Sequence, residues 1–486
     1  MILIKYKNIN DFEYDIQGLI RQFFPGEDMA TDKDVAADYT LVTDIQSESV
    51  STKLYVKDKP EPVTECEDVI DYSDRKQTKN VLKRVVYNTL SGYTDKKLPW
   101  GTLSGIRPTK ITSALLAEGN DKEWLRKHMK SEYYVSDKKT GLSIDISEYE
   151  LNLLNNINYK NGHSVYIGIP FCPSICSYCS FSSYPLARYT DKVDKYLDAL
   201  IKEIDYVSKA FSDRELNTVY IGGGTPTTLK PHQLDRLLGV IREKFDFTNI
   251  KEFTVEAGRP DSISADKLRV MMQYGVTRMS INPQTMNQKT LDIIGRRHTV
   301  KDITDAFALA REQGVDNINM DFIVGLPQET TEDIKYTLEE AKRLNPDSIT
   351  IHSLAIKRAA RLNTMKEIYS RYSYNNSDEV MDMCAEYAYG MGMKPYYLYR
   401  QKNMTGNMEN VGYAKPGKAG IYNILIMEEV QPIIACGAGA SSKMVFPDGN
   451  RIERIENVKD VDCYIERIDD MIKRKESFLQ DNKGVF

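Results

Sequence analysis

The chain has 486 residues, 41% of them hydrophobic and 28% charged, with 65 Lys and Arg against 70 Asp and Glu for a formal net charge of −5. That length exceeds what one hydrophobic core sustains, so two or three domains are expected. The acidic balance argues against a surface built mainly to neutralise nucleic-acid phosphates and leaves room for a local basic pocket. No apolar run reaches the roughly 18 residues that span a bilayer. At the N-terminus, MILIKYKNINDFEYDI interrupts its apolar residues with Lys5, Lys7, Asp11 and Glu13, unlike a secretory signal, so a cytoplasmic protein is expected.

In chain order, residues 1–160 read as an α+β N-terminal domain with linking helices. Alternating stretches, ADYTLVTDI and TKLYVKD, precede a helix near Lys79 to Leu90, and after LPWGTLSGIRPTKI come helical stretches at Ile111–Glu118, Trp124–Ser131 and Ser147–Ile157. Residues 161–355 change rhythm. Strand-like runs at 164–169, 217–222, 252–257, 277–282, 318–325 and 347–353 alternate with amphipathic stretches at Tyr196–Phe211, Gln233–Phe245, Ser264–Tyr274, Ile303–Gln313 and Thr331–Leu344. This is the pattern of parallel βαβ units, which close into a full or partial α/β barrel or lie open as a doubly wound sheet. In either case ligands sit beyond the strands' C-terminal ends, where the chemically suggestive residues fall. Residues 356–486 read as a mixed C-terminal region covering the substrate, with glycine-bearing loops and a charged helix near Val458 to Glu476.

Three of seven cysteines crowd into IPFCPSICSYCSF, directly after the first of these strands, while Cys66, Cys384, Cys436 and Cys463 lie scattered. An odd count in a chain without an export signal points to metal binding rather than a disulfide framework. The spacing C-x3-C-x2-C puts Cys172, Cys176 and Cys179 on one loop, where they serve three corners of a cubane and leave the fourth iron open. A structural zinc site closes four ligands, and no further Cys or His lies near enough in sequence to pair obviously with this group. After the next strand, GGGTPT (Gly222 to Thr227) lets backbone approach a ligand closely, and it lacks the lysine of a P-loop.

C-x3-C-x2-C after a strand resembles the signature of the radical S-adenosylmethionine (SAM) superfamily. The longer match VYIGIPFCPSICSYC resembles its oxygen-independent coproporphyrinogen III oxidase family, from Tyr166 to about Ser353 with weaker echoes on both sides. The resemblance implies an α/β fold of the (β/α)6 type, full or partial. It also implies a 4Fe-4S cluster on Cys172, Cys176 and Cys179 whose open iron is chelated by SAM, and one-electron cleavage of SAM to a 5′-deoxyadenosyl radical. It assigns SAM contacts to Tyr166, Gly223, Gly224, Thr225, Glu256, Gln284, Arg296 and Asp321. By the same likeness the strand near Ser353 offers a backbone contact to adenine, and Lys443 matches a late family position. His298 and His352 lack metal-ligand spacing and read as structural or substrate-facing.

PWGTLSGIRPTKI before the barrel and YYLYRQKNMTGNMENVGYA after it carry the likeness toward a coproporphyrinogen dehydrogenase-like branch. That implies an oxidoreductase of porphyrin biosynthesis acting on a tetrapyrrole, coproporphyrinogen III or heme, with a small electron donor such as flavodoxin or ferredoxin. No nucleic acid and no membrane insertion are expected. Propionates need cationic partners, and Arg107, Lys110, Lys357, Arg358, Arg400 and Lys402 are candidates. Tyr396, Tyr397 and Tyr399 could pack on a macrocycle or form ordinary core. In the implied reaction a propionate β-hydrogen is removed and carbon dioxide plus one electron are lost, leaving a vinyl group. Phe181 stands where the oxidase has a further cysteine, and C-x-F resembles the heme-chaperone and heme-degrading branches. Three readings stand open: oxidative decarboxylase, heme ring-opening methyltransferase, or non-catalytic heme chaperone.

Overall fold

The computed structural model describes residues 1–8, 11–31, 35–369, 372–401, 404–447, 449 and 451–486. Two compact units divide the chain, Met1–Glu148 and Tyr149–Phe486.

In the first unit, strands β1 (Ile2–Lys7), β2 (Met29–Thr31), β3 (Tyr39–Ile45), β4 (Ser49–Val56) and β5 (Thr64–Val69) form one sheet in the order β2-β1-β3-β4-β5. Period-two alternation turns Leu41, Ile45, Val50 and Leu54 to the same buried face. Two helices supply the rest of this core: Glu13–Phe23 with Ile16, Leu19, Ile20 and Phe23, and Arg75–Thr94 with Val81, Leu82, Val85 and Val86. The second of these helices starts at Asp74, whose carboxylate accepts from the Lys76 and Gln77 amides, a cap that contributes about 1 kcal/mol. Helices Thr109–Ala117 and Lys122–Tyr133 follow where the sequence places them, and Ser147–Ile157 is largely contained in a longer helix, Asp137–Leu154.

The second unit is built on one 11-stranded sheet. Its parallel core takes β6 (Gly162–Ile169), β9 (Glu215–Gly223), β10 (Glu252–Glu256), β11 (Arg278–Ser280), β12 (Ile318–Val324) and β13 (Ser348–Ser353) in sequential order. All six match the strands read from sequence to within about two residues at each end. Their side chains are nearly all buried, as expected for strands covered on both faces. Connecting helices bury one apolar stripe each; Val193–Ala210 turns in Tyr196, Leu197, Leu200, Ile204 and Val207 at helical spacing. Capping boxes at Thr299 with Asp302 and Thr330 with Asp333 fix where two of them begin. Between β6 and β9, the short strands β7 (Phe171–Cys172) and β8 (Tyr184–Pro185) pair with each other and close the cysteine loop at its base.

The segment after residue 355 adds strands at both edges of this sheet. Beside β13 lie β15 (Asn410–Ala414) and then β14 (Lys394–Tyr399), both antiparallel. On the other side, β16 (Ile433–Cys436) runs parallel to β6 and continues into the antiparallel β17 (Ser441–Val445) and β18 (Ile452–Glu456). No ladder among the described residues joins the two ends of the sheet. The charged helix expected near Val458 to Glu476 is split into Val461–Glu466 and Ile468–Asp481.

That last helix takes part in a fully buried polar cluster. Lys475 Nζ lies 2.6 Å from Glu203 Oε1, while Tyr464 donates its hydroxyl to Glu203 Oε2 at 2.5 Å and the Gly437 amide donates at 2.8 Å. Asn457 donates to Glu203 Oε1 at 2.8 Å and accepts from Lys475 at 3.0 Å.

Candidate SAM and cluster site

The C-terminal ends of the parallel strands surround one cavity of about 260 Å³. Its floor is the cysteine loop. Ser177 donates its amide to Ile294 O at 2.9 Å and the Cys179 amide donates to Cys176 O at 3.2 Å, which folds all three thiols toward the cavity they line. Beside it, the Gly224 amide donates to Ile169 O at 2.7 Å and the Thr225 amide to Phe171 O at 2.8 Å, stitching the glycine turn to the strand that delivers Cys172. Gly223 has φ +107°, and a Cβ on Gly224 would sit 2.6 Å from Phe171 O and 3.0 Å from Cys172 Sγ. Only glycine lets the two loops meet this closely.

Burial pushes the Cys172 thiol up to about 11, against a hydrogen bond from Thr225 Oγ1 at 3.5 Å that favours the thiolate. Cys179 is likewise raised by burial. Taking up iron therefore expels protons from these thiols. Among the described residues, no three His, Cys, Asp or Glu side chains are grouped to hold a single metal ion. A cubane gives each thiolate its own iron and needs no such convergence, so three cysteines on one cavity floor fit the cluster.

Four further residues singled out from the sequence line the same cavity: Glu256, Gln284, Arg296 and Asp321. Burial raises Glu256 to about 7; Tyr220 donates a hydrogen bond to its carboxylate and is stacked on Tyr422 at 4.4 Å. Gln284 has a left-handed backbone, φ +69°, fixed by the bonds of its amide to Asp321 O and of Ile323 N to its carbonyl, both 2.9 Å. Its side-chain Oε1 is buried without a partner, as is Nε of Arg296, whose NH1 donates to Asn282 O. Because both residues line the cavity, these atoms are available to a ligand's own polar groups. Burial acts to raise Asp321, but His352, with Nε2 at 3.8 Å, and Asn319, donating at 2.7 Å, leave it below its ordinary value.

Tyr166 does not line the cavity. It lies beneath the glycine turn, its hydroxyl 3.3 Å from where a Gly223 Cβ would stand, and stacks on Tyr220 at 6.2 Å. The Ser353 amide is already bonded to Asn410 Oδ1 at 2.9 Å. Lys443, on β17, is tethered to Glu429 at 3.0 Å and Ile426 O at 3.1 Å, away from the cavity. His298 is buried beside Asp261 at 3.8 Å and pushed down to about 4 by burial, so it is neutral; His352 lines the cavity. Of the cations matched to propionates, Lys357 lines the mouth with its ammonium 5.8 Å from the exposed Phe181 ring, whereas Arg400 is buried and donates to Asn407. Arg107 and Lys110 belong to the first unit, and Lys402 lies outside the described residues. Tyr396 and Tyr397 pack in a core with Ala414, Ala419 and Ile424, and only Tyr399 of the three lines the cavity.

Sequence reasoning missed Tyr178, Arg259, Asn282 and Asn410 on the cavity wall. For Arg259 a signal existed: GRPD follows the end of β10, the same kind of position that picked out Glu256.

The parallel sheet, the three-cysteine floor and the glycine turn define a radical SAM protein. The Radical SAM superfamily model matches residues 166–341. The chain is 40% identical to the oxygen-independent coproporphyrinogen-III oxidase-like protein HemZ of Bacillus subtilis over 83% of its length and 82% of that protein's. It is 38% identical to the heme chaperone HemW of the same species, over 40% of this chain and 51% of the chaperone. The solved coproporphyrinogen III oxidase HemN of Escherichia coli superposes with a TM-score of 0.51 at 24% identity, over 66% of this chain and 73% of that one, a likeness of fold. The chain belongs to the oxygen-independent coproporphyrinogen III oxidase-like family of radical SAM proteins, a family of tetrapyrrole metabolism, and its cofactors are a 4Fe-4S cluster and SAM. No helix among the described residues is long and apolar enough to cross a membrane.

Proposed function

We propose that the protein is an oxidoreductase that converts propionate side chains of coproporphyrinogen III to vinyl groups without oxygen, cytoplasmic and fed by a small electron-donor protein. The observation that carries this reading is the set of polar groups facing the cavity. Gln284 Oε1 and Arg296 Nε are buried without partners beside three thiols, a set suited to holding a polar cofactor at a cluster.

When bound, cluster and SAM supply a one-electron cleavage that produces a hydrogen-abstracting radical. The chain's own residues position and protect. Cys172, Cys176 and Cys179 would hold three irons, and Gly223, Gly224 and Thr225 would cradle the SAM amino group. The Arg296 fork suits a carboxylate. Glu256 and Asp321 suit hydroxyl groups, Asp321 as an ionised acceptor and Glu256, raised to about 7, in either protonation state near neutral pH. Tyr166 would support the turn from below. Lys357 at the mouth suits a propionate, and Phe181 beside it offers a face to an apolar macrocycle. Each round would remove one hydrogen atom, one electron and carbon dioxide from one propionate.

A chaperone reading draws on the HemW likeness and on Phe181. The two separate when anaerobically reconstituted protein with SAM and reductant is incubated with coproporphyrinogen III and, separately, with heme. Vinyl product, carbon dioxide and matching 5′-deoxyadenosine with coproporphyrinogen support the decarboxylase. Stable heme binding without substrate-dependent 5′-deoxyadenosine rejects it for the chaperone, and a linear tetrapyrrole with iron release rejects it for a ring-opening enzyme.

A further inference from the structure

The three cysteines are not equivalently surrounded. Cys172 receives the Thr225 hydroxyl, a neutral donor. Cys176, the most buried of the three, meets two guanidiniums: that of Arg296, and that of Arg259, whose NH1 lies 4.0 Å from its Sγ and 3.0 Å from Ser174 Oγ on the same loop. Arg259 is 3% exposed. Its remaining face is clamped by Asp261, with Nε to Oδ1 and NH2 to Oδ2 both at 2.9 Å, so the plane of the guanidinium is fixed by the carboxylate and NH1 is aimed at the loop. The short helical turn Pro260–Ser262 after β10 makes this possible, with the Ser262 hydroxyl donating to Arg259 O at 2.6 Å.

The same NH1 ties down the loop by donating to Ser174 Oγ at 3.0 Å and Ser174 O at 3.4 Å, and so brings its charge up to the sulfur. The geometry of the pair places a buried positive charge and an N–H donor against one cluster sulfur, with a negative charge directly behind it.

We propose that Arg259 and Asp261 form a tuning pair for the cluster: Arg259 raises its reduction potential through Cys176, and Asp261 aims that charge while reducing its effect. Hydrogen bonds and positive charge at the sulfurs favour the reduced, more negative cluster. The pair sets how readily the electron donor loads the cluster, whichever tetrapyrrole is the substrate.

The sign of the effect is the test. In potentiometric titration of the reconstituted protein without SAM, followed by electron paramagnetic resonance and normalised to bound iron, R259Q removes the charge and exposes Asp261. Its reduced-to-oxidised ratio at the wild-type midpoint falls about tenfold, a shift of about 59 mV to lower potential. D261N unmasks the guanidinium and moves the midpoint the other way, raising that ratio severalfold. A role confined to packing would move both variants in the same direction, or neither, and either result overturns the proposal. If R259Q does not retain its cluster, D261N decides: a rise supports the pair, and a fall or no change rejects it.

Discussion

Two places in the second unit bury charged groups, and they are built in opposite ways. At Glu203 every charge is answered from within the chain: Lys475 at 2.6 Å, Tyr464 at 2.5 Å, and the Gly437 amide and Asn457 at 2.8 Å. At the cavity, Gln284 Oε1 and Arg296 Nε have no partner and Glu256 is raised to about 7 by burial. One cluster is closed and spends its polar groups on holding the last helix to the sheet. The other is open, with polarity that only a ligand would satisfy. Burial alone does not mark a functional site, and neither does a missing partner, since His163 and Asn217 also bury unpartnered atoms; what marks this one is that the unpartnered groups face a cavity beside three thiols.

The sharpest way to break this contrast is to exchange a cysteine from each place. C176A should abolish the brown cluster absorbance and the bound iron, whereas C436A, beside the closed cluster, should leave both intact. Next, removing one partner of the closed pair leaves the other charge buried. E203Q or K475M should therefore each lose about 3–5 kcal/mol of stability by denaturant unfolding, and the two together less than their sum.

Protonation separates the two places more finely. Glu256 has a folded pKa of about 7, above its ordinary 4.5, so the protonated form favours the folded state. In the cofactor-free protein this contribution is fully present below pH 4.5 and is lost as pH rises to about 7, on the order of 3 kcal/mol. E256Q should flatten that window in unfolding measured against pH. The smallest effect is expected at the rim, where K357M should raise KM for a carboxylate-bearing tetrapyrrole about threefold with kcat unchanged.

Much of this was legible before any coordinates. The six parallel strands announce themselves because each is a short apolar run bounded by turns, and five connecting helices carry an apolar stripe. The cysteines and the glycine turn are contiguous in sequence and therefore visible. What was hidden depends on distance along the chain. β16 slots beside β6, with Ile433 opposite Ser164, and nothing local in IIAC says so. Residues after 355 read as a covering region because loops and glycines dominate them, yet five strands there extend the sheet at both edges. Arg259 escaped because its partner thiol lies 83 residues earlier in the chain. Tyr166 shows the reverse case: its place next to the cluster strand is plain in sequence, but only the packing reveals that it props the glycine turn from outside the cavity.

The most direct test of the central claim is the spectrum of the anaerobically reconstituted, reduced protein before and after SAM is added. An iron left open by three cysteines predicts a 4Fe-4S signal whose shape changes on adding SAM, and whose change is lost in R296Q. Bound zinc in place of iron, or a cluster spectrum indifferent to SAM, would contradict it.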